Sequence, residues 1–174
     1  MFSALILHDA DAVERQIRYF DALRTLTKVR LILGVFQPRT VTCKAECKLK
    51  YDVPEEKKTD VNLAVEMIND AIVGACEQMI VVTGDSDVQP AVEWVARNKP
   101  EITITVYVPL LPAEQKTRRI DYYTTQKLKV ECKFLPLGGI KDHQFKDHIR
   151  LPGAEVKFAI RTHVWKKQGE LPAA

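Results

Sequence analysis

Residues 60–92 constrain this 174-residue chain more tightly than any other stretch. They read DVNLAVEMINDAIVGACEQMIVVTGDSDVQPAV. Val61, Leu63, Ala64, Met67, Ile68, Ala71 and Ile72 recur at helical spacing, Asp60 opens the helix and Gly74 is a natural stop. An uncharged run at residues 78–83 follows, which predicts a strand covered on both faces of a parallel sheet. Thr83-Gly84-Asp85-Ser86-Asp87 then turns into a second helix, with Ser86 or Asp87 as its cap and Pro90 in the tolerant first turn.

The rest of the chain repeats the alternation. Strands are expected at residues 2–7, 29–36, 102–108 and 129–135, and helices at 12–26 and 113–123. Asp9 or Asp11 caps the first helix, and Pro38 ends the second strand. Residues 39–51 read as a small exposed hairpin around Cys43 and Cys47. The fold class that follows is α/β with a mostly parallel sheet, one domain over residues 1–135 and a C-terminal extension over 136–174 that packs on or trails from it.

Apolar residues make up 46% and charged residues 28%, enough for a sizeable core. The net charge of +3 permits a nucleic-acid partner without demanding one. No apolar run reaches the roughly 18 residues of a membrane span, and the N-terminus lacks the basic flank of a signal peptide, so a cytoplasmic location is expected. Cys43 and Cys47 have no second pair nearby to complete a zinc site; unpaired thiols are the simpler reading, with Cys76 and Cys132 in buried elements.

Right-handed crossovers place each strand's carboxyl end beside the next helix's N-terminus, the edge where such sheets bind ligands. Asp60, Asp85 and Asp87 can converge there. Glu66, roughly 9 Å further along its helix, is an outer member or a surface charge. Carboxylates about 4 Å apart repel by several kcal/mol at an effective dielectric of 20, which a divalent cation relieves. Oxygen ligands suit Mg²⁺ or Mn²⁺, which can polarise a phosphoryl oxygen. Helix capping by Asp60, Ser86 and Asp87, with Asp85 as a turn residue, is the plainer alternative.

The run K-x-x-D-V-x-L-A-V-E-x-x-x-D-A, followed by V-V-T-G-D-S-D-x-x-P, resembles the NYN domain, a branch of the PIN-like nuclease superfamily. The resemblance extends over residues 2–108 and more loosely to Trp165. It implies a Rossmann-like three-layer α/β/α sandwich and a metal-dependent endoribonuclease acting on RNA phosphodiesters. By position, Asp60, Asp85 and Asp87 match the family's metal ligands and catalytic acids, and Glu66 a less constant acidic position. Thr83, Gly84 and Ser86 line the site.

The chain departs from the family at its start. Members open with a strand ending in I-D-G-x-N, whose Asp is a principal ligand. Here residues 2–5 resemble the family's second strand, so one strand and one helix are missing upstream. The expectation is an N-terminally truncated domain that is weak or inactive in cleavage, with neighbouring strands left unpaired and the core open. The alternative is a non-catalytic RNA-binding or regulatory NYN module.

Lys57, Lys58, Lys116, Arg118 and Arg119 are candidates for RNA-backbone contacts, which carry no sequence information, or else an ordinary solvated charge run. Tyr122 and Tyr123 are read as packing residues rather than base-stacking ones. A homo-oligomer is compatible with this reading, and a membrane partner is not expected.

Overall fold

The computed structural model describes residues 1–6, 9–109, 130–135, 143, 145, 148–150 and 158–160. The chain divides into two compact units, Met1–Thr59 with His143–Ala174 and Asp60–Asp142. The described residues form a mixed α/β structure with three α-helices and no helix long and apolar enough to cross a membrane.

In the first unit, strand β1 (Phe2–Ala4), helix α1 (Ala10–Arg24) and strand β2 (Ile32–Thr42) make a strand–helix–strand crossover, and β1 pairs parallel with β2 from Phe2↔Ile32 to Ala4↔Gly34. Asp9 is the cap of α1: its Oδ1 accepts the Ala12 N–H at 3.0 Å. Phe20, Ala22 and Leu23 are the helix's buried residues. Gln16 ties α1 to the end of β1, donating to the Ala4 carbonyl at 2.8 Å and accepting from the Ile6 N–H at 2.8 Å. A polar residue at a helical position thereby satisfies backbone groups that the short strand leaves over.

Pro38 does not end β2. The strand runs on to Thr42 in an antiparallel ladder with β3 (Lys50–Lys57), and the register sets Pro38 opposite Pro54. Two residues that both lack an N–H can face each other only at a non-hydrogen-bonded pair, where neither is asked to donate. The hairpin is therefore longer than residues 39–51. At the other end of the ladder, Gly34 lies against the start of the next helix. A Cβ there would sit 2.4 Å from the Lys57 carbonyl oxygen and 2.5 Å from Thr59 Oγ1. Strands β7 (His148–Arg150) and β8 (Phe158–Ile160) form a separate antiparallel pair in the C-terminal residues.

The second unit holds the run that dominates the sequence. Helix α2 (Thr59–Ile72) begins one residue before Asp60, so Asp60 is a first-turn residue rather than the opening one. Its end is a Schellman motif: Gly74 at φ 66° donates to the Ala71 carbonyl at 3.4 Å, and Ala75 to the Asp70 carbonyl at 2.9 Å. Strands β4 (Gln78–Val82), β5 (Thr103–Val108) and β6 (Val130–Phe134) pair in that order, all parallel, in register Val81↔Val106 and Val106↔Cys132. Helix α3 (Gln89–Asn98) connects β4 to β5.

The core gathers on one face of this sheet: Met79, Val81, Ile104, Val106 and Val130 from the strands meet Met67 and Ala71 of α2 and Val88, Val92 and Val95 of α3. The expectation that β4 is covered on both faces fails. Ile80 is 62% and Val82 54% exposed, while Met79 and Val81 are buried. Among the described residues β4 pairs with β5 alone, and the cluster that buries Met79 and Val81 lies on one of its faces. Helix α2 shows the same one-sidedness: Val61, Val65 and Ile72 recur along it yet are more than half exposed.

The predicted helix at residues 113–123 falls outside the described residues.

Candidate functional site

The acidic turn is built at the carboxyl end of β4. The Thr83 N–H still donates to the Tyr107 carbonyl at 3.1 Å, carrying the ladder one residue past the strand. The Thr83 hydroxyl then accepts the Asp85 N–H at 3.1 Å, and Asp85 Oδ1 accepts the Asp87 N–H at 2.9 Å. These two local bonds fold residues 83–87 into consecutive side-chain turns. A single 3₁₀ turn, Ser86–Val88, leads into α3. Val88 is fully buried and anchors the turn to the core.

Asp85 caps this 3₁₀ turn, while α3 itself starts after Val88 without a side-chain cap, so neither Ser86 nor Asp87 caps the helix. Pro90 sits in the first turn of α3, where no intrahelical N–H is lost.

Asp85, Ser86 and Asp87 are exposed, and Thr83 and Gly84 are half-buried. A Cβ on Gly84 would meet nothing closer than Val108 Cγ1 at 3.8 Å, so space does not require a glycine there. Asp60 is exposed in the first turn of α2, and Glu66 is half-buried further along it.

Asp85 and Asp87 are brought onto one turn. Among the described residues, no group of three or more His, Cys, Asp or Glu side chains is gathered as an ion-holding cluster, with Asp60, Glu66 or any other acid. The turn's donor chemistry remains that of a hard dication: two exposed carboxylates with hydroxyls beside them. Mg²⁺ commonly takes only one or two carboxylates and keeps several waters.

Of the basic candidates, Lys57 is at the end of β3 and pairs with Glu55 at 2.9 Å. Arg39 reaches the same carboxylate at 3.2 Å. The Lys57 ammonium, and secondarily Arg39, hold the Glu55 carboxyl below the usual range. Lys58 follows with φ at 77°, at the entry to α2. Lys116, Arg118, Arg119, Tyr122 and Tyr123 lie outside the described residues.

Over 113 aligned residues the chain is 33% identical to the 6-hydroxy-3-succinoylpyridine 3-monooxygenase HspA of Pseudomonas putida (strain DSM 28022 / S16), an alignment covering 57% of this chain and 36% of that protein. The chain thus spans little more than a third of the curated relative it matches. No family model and no solved structure matches it.

Proposed function

We propose that this chain is a PIN-like domain of the NYN type, a Rossmann-like three-layer sandwich adapted to metal-dependent hydrolysis of RNA phosphodiesters. The observation that carries the reading is the exposed Asp85–Asp87 turn at the carboxyl edge of a parallel sheet. Ligands bind at this edge in open α/β sheets.

Asp85 and Asp87 would hold Mg²⁺ or Mn²⁺, with Asp60 and Glu66 as outer acids. The bound ion supplies Lewis-acid polarisation of a phosphoryl oxygen. The chain's own part is positional. The Thr83 hydroxyl and the Asp85 cap fix the loop, and Val88 prevents it from lifting off the sheet. The Asp85 carboxylate, already hydrogen-bonded to the Asp87 amide, loses less freedom on taking up an ion. Lys57 and Lys58 would contact the RNA backbone without reading its sequence.

The test has two arms. Titration with Mn²⁺, read by its paramagnetic resonance, is expected to show a site that weakens about tenfold in Asp85→Asn and in Asp87→Asn. Mn²⁺-dependent cleavage of labelled RNA is expected to disappear in both variants and on adding EDTA. If Mn²⁺ uptake is the same in the double variant as in the parent chain, the reading fails. RNA binding that survives both EDTA and Asp85→Asn would instead favour a non-catalytic binding module. Asp85's commitment to capping the turn is the observation on that side.

A second reading rests on the sequence similarity alone: a share in monooxygenase chemistry on a hydroxypyridine. Dioxygen uptake on adding 6-hydroxy-3-succinoylpyridine and a reductant would support it, and none above a no-protein control would count against it.

A further inference from the structure

The bend between β2 and β3 contains chemistry that the acidic turn does not use. Cys43 follows the last pair of the ladder, donating its N–H to the Leu49 carbonyl at 2.7 Å. The Lys48 N–H donates back to the Ala45 carbonyl at 3.2 Å, closing a turn over residues 45–48. Lys48 adopts φ 47°, in the left-handed region that side-chain-bearing residues seldom enter. This reversal returns Cys47 to the side of Cys43. Within this bend the Leu49 amide, and after it the Cys43 side chain, are the groups that lower the pKa of the Cys47 thiol. Both cysteines are free thiols, Cys43 half-buried and Cys47 exposed. In the sequence Lys44, Lys48 and Lys50 flank them, against one acid, Glu46.

We propose that Cys43 and Cys47 are a redox-active dithiol that closes to a disulfide by exchange with a small anionic disulfide of the glutathione class. The proposal does not rest on the nuclease reading. Cys47 is the attacking group: it is exposed, and these two groups hold its thiol below the ordinary range, the Leu49 amide contributing most. Cys76 and Cys132 are the contrast, both raised by burial. The lysines favour an anionic partner and a developing thiolate alike.

In the first step the Cys47 thiolate attacks one sulfur of the small disulfide. That S–S bond breaks, one half leaves as thiolate, and a mixed disulfide remains on Cys47. In the second step Cys43, giving up its proton, attacks the Cys47 sulfur and expels the other half. Two electrons pass from the protein to the small disulfide, and the two thiol protons end on the two small thiols released.

The experiment uses the full chain in glutathione buffers of graded oxidation, quenched with acid and digested with trypsin without reduction. Cleavage after Arg39, Lys44 and Lys48 puts Cys43 in peptide 40–44 and Cys47 in peptide 45–48. The two peptides are expected as one joined species that grows with oxidised glutathione and disappears with reduced glutathione, while Cys76 and Cys132 stay as thiols. Cys43→Ala is expected to trap a glutathione adduct on Cys47, and Cys47→Ala to slow modification of Cys43 by about tenfold. Stable separate adducts on both cysteines of the parent chain, or no joined peptides at any buffer ratio, would overturn the proposal. The parent-chain digest decides the matter even if a variant fails to fold.

Discussion

Single residues in this chain separate into those held by space and those held by chemistry, and glycine shows the difference. Gly34 lies where a Cβ would be 2.4 Å from a backbone oxygen, while a Cβ at Gly84 finds ordinary contacts. Gly34→Ala is therefore expected to destabilise the fold by about 2–3 kcal/mol, because backbone cannot yield as a side-chain tip can. Gly84→Ala should stay within about 0.5 kcal/mol. Urea denaturation of both variants checks this; equal costs would show that the Lys57 carbonyl does not crowd Gly34. The pattern V-V-T-G-D-S-D draws attention to Gly84, and nothing local marks Gly34. Its constraint comes from the approach of residues 57 and 59, more than twenty positions away. The same limit applies to the cap: a Ser or Asp cap at the head of α3 is what the local pattern suggests, but the intervening 3₁₀ turn takes Asp85 as its cap and leaves Val88, with no side-chain cap, before the helix.

At the scale of elements, periodicity located the strands and helices of residues 59–108 closely, and misjudged what covers them. β4 reads as a strand buried on both faces, yet Ile80 and Val82 are exposed. Val81→Ala should cost about 1–2 kcal/mol through lost burial and a cavity among Val106, Val92 and their neighbours. Val82→Ala should cost less than about 0.5 kcal/mol, since little of that side chain leaves water. Denaturation midpoints that fall equally for the two would show that the outer face of β4 is covered in solution. The β2–β3 hairpin was legible from its Pro and Cys punctuation. Its length was not, because a proline at a non-hydrogen-bonded position costs the ladder nothing and does not stop a strand.

For the whole molecule, protection should follow the depth of the parallel sheet. β5 lies between two partners and contributes Ile104 and Val106, both fully buried, whereas β3 is exposed along most of its length. Amide hydrogen exchange is expected to be slowest at residues 104–108 and at least about tenfold faster in residues 50–57. The reverse order would mean that the hairpin, not the Val-rich core, is the last element to open.

What the sequence determined by itself is local: the helices, the branched strands, the reversal at Gly74 and an acidic turn at a strand's carboxyl end. Short-range sterics, hydrogen bonding and apolar spacing decide these within a few residues. Only the tertiary structure decided that Ile80 and Val82 of β4 stay exposed, that Gly34 has no room for a side chain, and that β2 runs on past Pro38 opposite Pro54. Each depends on which distant backbone arrives alongside, and that is settled by packing across the chain.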